Sequence, residues 1–138
     1  VVIDSGAGES VMPWQMLPQE PMVASSKANS RYRDASGHEM TNKGQKEIKM
    51  KINGKIASMV FQATDVRKPL AGVSRIVEKG NTVVFDADNS YILHKAFGTR
   101  TPIDLEKGAY VINVEYLIPS RGTADATSLR GPGFPRPA

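Results

Sequence analysis

Val1, Val2 and Ile3 form a short run of β-branched residues, and Asp4-Ser5-Gly6 behind them is the kind of polar cluster that ends a strand. Residues 13–30 then place Pro13, Pro18 and Pro21 among small and polar side chains, which predicts a wandering loop in place of a helix. The stretch "RYRDASGHEMTNKG" predicts two short polar strands about a turn at Ala35-Ser36-Gly37. The clearest alternation follows in "KEIKMKINGKIASMVFQATDV". There Ile48, Met50 and Ile52 alternate with lysines, and Asn53-Gly54 is the favoured pair for a two-residue type I′ turn, so a long hairpin is predicted.

The period changes once. Val73, Ile76 and Val77 sit at helical spacing with Gly80 placed as a C-terminal stop, which predicts one helix of about two turns. Residues 82–85 and 91–93 predict a further hairpin about "DADNS", and "KAFGTRTPIDLEKGAYVINVEYL" adds two strands around Glu106-Lys107-Gly108. Beyond Leu117 the chain is rich in Gly, Pro, Ser and Arg with few apolar residues, so residues 119–138 read as a flexible tail. The pattern gives a mainly β domain over residues 1–118.

A length of 138 residues suits one domain, and 40% hydrophobic with 23% charged residues is ordinary globular composition. The net charge of +4 comes from 18 basic and 14 acidic residues that are interleaved along the chain. No run of like charge makes a stripe for phosphates, which argues against direct nucleic-acid binding. The absence of cysteine removes disulfides, thiolate metal sites and cysteine nucleophiles, and fits a reducing compartment. His38 and His94 lie far apart in sequence, so no metal and no other cofactor is expected. No apolar run approaches the ~20 residues that span a bilayer, so no membrane partner is expected either. The chain starts without Met, directly on a strand, as a piece of something longer would.

Three readings of Asp4-Ser5-Gly6 stand side by side. In the first, Asp4 caps a turn, Ser5 supports it and Gly6 supplies a positive φ. In the second, Gly6 and Gly8 after a strand begin a phosphate-binding G-x-G-x-x-G. Val11 replaces its third glycine, however, and the prolines that follow spoil the helix it needs.

The third reading is a resemblance. Asp4-Ser5-Gly6-Ala7 followed by Ser10-Val11-Met12 resembles the D-[ST]-G-A-x-x-[ST]-apolar-apolar signature of retropepsins, the aspartic proteases of retroviruses and LTR retrotransposons. Pro69-Leu70-Ala71-Gly72, the helix through Ile76 and the strand from Thr82 resemble that family's apolar-apolar-Gly motif, short helix and following strand. The likeness covers residues 1 to about 95, and the family's bulky aliphatic is a small residue, Ala71, here.

The resemblance implies a closed acid-protease β-barrel with one short helix, paired as a two-fold homodimer. It implies that Asp4 activates water, that Ser5 braces the two active loops, and that the Gly6 carbonyl accepts a hydrogen bond from substrate. Ala7 would line the floor, and Ala35, Ser36 and Gly37 would form a flap tip over an extended peptide. His38 beside that tip is either a substrate contact or an ordinary solvated histidine. Leu70 and Gly72 would support the active loop from beneath. Met12, Trp14 and Met16 would border subsites or simply pack.

The chemistry needs two carboxylates sharing one proton. Asp34, Asp65, Asp86, Asp88, Asp104 and Asp125 all lack the Asp-[Ser/Thr]-Gly context, so on this reading the second Asp4 comes from another copy of the chain. The implied activity is endoproteolysis of a retroelement polyprotein in the cytoplasm or within virus-like particles, with the tail leading toward a neighbouring domain or a self-cleavage site. An inactive, protease-like module that dimerises and binds peptides is the alternative.

Overall fold

A computed structural model describes residues 1–27, 31–33, 37–118 and 127–130, with 31–33 and 127–130 described as strand backbone only. The chain opens with β1 (Val2–Asp4) and β2 (Val11–Pro13), followed by the small pair β3 (Arg31–Arg33) and β4 (Glu39–Thr41). The long hairpin is β5 (Gly44–Ile52) and β6 (Lys55–Thr64), and β7 (Leu70–Gly72) runs straight into α1 (Val73–Glu78). A meander of β8 (Asn81–Val84), β9 (Ser90–His94), β10 (Thr99–Glu106) and β11 (Ala109–Val111) leads to β12 (Val114–Ile118) and β13 (Thr127–Arg130). The protein is mainly β with one short helix among the described residues, as the pattern predicts, and that helix is too short to cross a membrane.

Local chemistry accounts for the turns. Asn53 and Gly54 take φ of 50° and 80°, the paired positive values of a type I′ turn, and β5 and β6 zip in register from Ile52↔Lys55 to Gly44↔Ala63. Alternate residues of β5 face inward, so Ile48 and Met50 are fully buried. Lys46 shares that inward face, and its ammonium donates to the carbonyls of Met16 and Leu17 at 3.0 Å each, tying down the proline-rich loop. Gly80, at φ 90°, ends the helix in the left-handed conformation, and its N–H donates to the Val77 carbonyl.

Among the described residues, eleven strands form one sheet in the order β13-β12-β5-β6-β2-β7-β1-β11-β10-β9-β8, and β3 with β4 make a separate pair. Met12, Ile48, Met50, Phe61, Ile76 and Tyr116 belong to one buried cluster beneath it. The expected closed barrel does not form: among the described residues the ladder is open, with β13 and β8 at its ends. The physical reason lies after α1, where the meander builds outward from β1 through β11, β10 and β9 and leaves β8 with a single neighbour.

Two further differences concern the C-terminal third. The stretch expected to give two strands gives three, because the chain breaks at Ile112-Asn113 and β12 changes partner to β5. Within the expected tail, β13 pairs antiparallel with β12 from Glu115↔Arg130 to Ile118↔Thr127.

Candidate active site

β1 delivers Asp4 to the start of a loop that ends at β2, yet these two strands are not neighbours. β7 lies between them, parallel to β1 with Val2↔Leu70, Ile3↔Ala71 and Asp4↔Gly72, and antiparallel to β2 through Val11↔Leu70. Residues 5–10 therefore have to cross over the end of β7 to reach β2. Gly72 sits under that crossing: a Cβ there would lie 2.8 Å from the Ala7 carbonyl oxygen and 3.2 Å from the Glu9 carbonyl carbon and oxygen.

Hydrogen bonds fix the crossing at both ends. The Gly6 N–H donates to Asp4 Oδ1 at 2.9 Å, and the Ala7 N–H donates to the Asp4 carbonyl at 3.4 Å. At the far end, the Gly72 N–H donates to Oγ of the fully buried Ser10 at 3.1 Å. Ser74, in the first turn of α1, donates to the Gly8 carbonyl at 3.3 Å. Asp4 is half-buried and Ser5 and Gly6 are exposed, so the loop presents a carboxylate and open backbone to solvent.

This geometry decides between parts of the earlier readings. Asp4 does form a turn, but Gly6 holds an ordinary φ, so positive φ is not its role. The phosphate-binding reading fails because the loop runs into strand β2, leaving no helix N-terminus behind Gly6 and Gly8. Gly72 stands directly against the loop with the half-buried Ala7 above it, while Leu70 sits between the flanking strands, opposite Val2 and Val11. Of the flap residues, Gly37 is exposed at φ 85° and His38 is exposed, while Ala35 and Ser36 lie outside the described residues. The register Arg31↔Thr41, Tyr32↔Met40, Arg33↔Glu39 makes β3 and β4 the arms of one hairpin.

Glu9 accepts hydrogen bonds from Lys27 Nζ and from the Arg75 guanidinium of α1, and Arg75 also reaches Glu78 at 2.7 Å. Partial burial alone would push the Glu9 carboxyl up, but Arg75 and Lys27 outweigh it and hold the group below the usual carboxylate range. A carboxylate with a depressed folded-state pKa stabilises fully above its unfolded value, and that stability is lost as pH falls through the folded value. Glu9→Gln is therefore expected to melt lower than wild type at neutral pH and to lose less on acidification below about pH 4. Thermal melts of both proteins across that range check it.

A second network ties the base of the β3–β4 hairpin to the same loop. The Asn42 amide donates to Gln62 Oε1 at 2.9 Å and to the Lys27 carbonyl at 3.1 Å, and Ser25 donates to the same Gln62 oxygen. The Gln62 N–H in turn donates to the Ser10 carbonyl at 2.8 Å. Ser25, Asn42 and Gln62 are all buried, so a break in this chain would leave polar groups stranded away from water.

Sequence reasoning missed Glu9, Lys27, Arg75, Ser25, Asn42 and Gln62. One signal was present: Gln62 interrupts the apolar run from Met59 to Ala63 in the long hairpin. No group of three or more His, Asp or Glu side chains is placed to hold a metal ion among the described residues. No protein-family model matches the chain, and neither the curated proteins nor the solved structures contain a match to it.

Proposed function

We propose that this chain is a homodimeric aspartic endopeptidase of the retropepsin type, processing a retroelement polyprotein. The observation that carries this reading is the insertion of β7 between β1 and β2. It sets Leu70-Ala71-Gly72 beside Val2-Ile3-Asp4 and Gly72 against Ala7, two segments that share no hairpin and lie more than sixty residues apart. A plain turn at Asp4 needs no such partner, whereas a carboxylate held for catalysis needs a loop fixed from beneath.

In the proposed dimer two Asp4 carboxyls face each other and share one proton, because two such groups about 3 Å apart cannot both ionise. The ionised Asp4 takes a proton from water as the water oxygen bonds to the peptide carbonyl carbon, and the protonated Asp4 gives its proton to the carbonyl oxygen. Collapse of the tetrahedral intermediate breaks the C–N bond, and the nitrogen leaves with a proton from the pair. Ser5 braces the two loops, the Gly6 carbonyl holds substrate backbone, and the small Ala7 leaves room for it. The β3–β4 hairpin, with Ala35, Ser36, Gly37 and His38, closes over an extended peptide.

A site built from two copies requires the rate to fall faster than concentration. Initial cleavage of a mixed peptide library is expected to rise with the square of chain concentration below the dimer dissociation constant and linearly above it. Sedimentation at matched concentrations locates the crossover. Strictly linear rates from a monomer would sink the shared-site mechanism, and a dimer that binds peptides without cutting them would be the inactive module.

A further inference from the structure

A slot of about 800 Å³ touches the Asp4 loop only at its far end, through Glu9 and Ser10, and Asp4, Gly6 and Ala7 take no part in its wall. Every residue from Lys55 to Val60 borders it. Side chains alternate across a strand, so a cavity against one face would meet only every second residue; an unbroken run places the slot along the edge of β6. That edge is open. β5 occupies one side of β6 from Lys55 to Ala63, while β2 takes the other side only at Gln62, Ala63 and Thr64. From Lys55 to Val60 the outward backbone groups have no strand partner among the described residues.

The opposite wall is built by β9 and β10, which contribute Ile92, His94 and the unbroken run Thr99-Arg100-Thr101, paired as Thr99↔His94 and Thr101↔Ile92. Apolar side chains flank the opening with little cover of their own: Ile56 is 69% exposed, Val60 42% and Phe97 76%. The free charge around the slot is positive. Its two carboxylates, Glu9 and Glu78, are engaged by Lys27 and Arg75, whereas Lys55, Lys79 and Arg100 have no carboxylate partner among the described residues. Lys55 and Arg100 rest instead on the rings of Phe97 and Tyr91.

We propose that this slot docks an extended acidic segment of a protein partner, which adds to β6 as a further strand. Open backbone groups supply the main-chain bonds, and alternation sorts the side chains, apolar ones toward Ile56, Val60 and Ile92 and acidic ones toward Lys55, Lys79 and Arg100. Six residues of open edge set the docked length at about 20 Å. This site stands independently of the hydrolytic reading.

The test uses the full chain carrying Asp4→Asn, so that cleavage cannot consume the probe. Fluorescent peptides of about eight residues, one alternating Val and Glu, a second alternating Val and Lys, and the first N-methylated at alternate backbone nitrogens in either register, are titrated by anisotropy. The acidic peptide is expected to saturate, the Lys peptide to show no saturation, and one of the two N-methyl registers to lose binding. Lys55→Glu with Arg100→Glu, both at solvent-facing positions, is expected to weaken the acidic peptide by about tenfold or more. Equal binding of the acidic and basic peptides, indifference to N-methylation in both registers, or no binding at millimolar peptide would overturn the proposal. So would a self-association lost in the charge-reversed variant without any peptide binding, which would assign the slot to a second copy of the chain.

Discussion

Asp4→Asn is expected to lower peptide hydrolysis by at least about 10³-fold while leaving fold and oligomeric state unchanged. The two halves of that expectation have separate causes. The Gly6 N–H donates to Asp4 Oδ1, and an asparagine amide oxygen at the same place accepts the same bond, so the turn survives. An amide can neither take a proton from water nor hold the proton shared across a dimer axis, so the chemistry does not survive. Cleavage of a mixed peptide library by both proteins, with circular dichroism and sedimentation on the same samples, separates the two effects. A variant that still cuts at the wild-type rate would remove Asp4 from the mechanism. A folded variant that has lost its dimer would instead make Asp4 a structural residue of the interface.

The features legible in the sequence are those set by neighbours along the chain. Asn53-Gly54 dictates a type I′ turn because both positions need positive φ, and the alternation of Ile48 and Met50 with lysines dictates which face of β5 is buried. The helix is readable from three apolar positions and a glycine. Lys107 and Gly108, at φ 49° and 81°, repeat the same turn geometry between β10 and β11.

What stayed hidden is partnership across the sheet. Nothing local to Val114–Ile118 says that it pairs with β5, because alternation specifies a face and not a neighbour. The open ladder has the same origin, since closure depends on where β8 ends up after α1 and not on any residue in β8 itself. The buried polar links are illegible for a related reason. Ser10, Gln62 and Asn42 are ordinary polar residues in the sequence, and only the fold buries them and makes each one the partner of another. At the candidate site, the loop could be identified from its own residues. The Glu9 contacts with Lys27 and Arg75, which join three separate segments, could not.

Gly72→Ala is expected to destabilise the protein by about 2–3 kcal/mol and to cut any hydrolytic rate by about 10²-fold. The backbone at Gly72 is extended, with φ −71° and ψ 125°, a conformation that alanine adopts freely, so the cost is one of space alone. The new methyl group would stand 2.8 Å from the Ala7 carbonyl oxygen and 3.2 Å from two Glu9 backbone atoms, none of which can rotate aside as a flexible side chain would. Relief has to come from lifting residues 7–9, which strains the Ser10–Gly72 and Ser74–Gly8 hydrogen bonds and carries Asp4 out of place. Gly8→Ala is the matched control. It changes the same loop by the same atoms, but its Cβ meets nothing within 4 Å, so stability is expected to stay within about 0.5 kcal/mol of wild type. Urea unfolding of the two variants beside wild type gives the comparison, with cleavage rates on the same preparations. Equal stability of the two alanine variants would mean that β7 does not press against the Asp4 loop, and the strongest structural support for a braced catalytic aspartate would be lost.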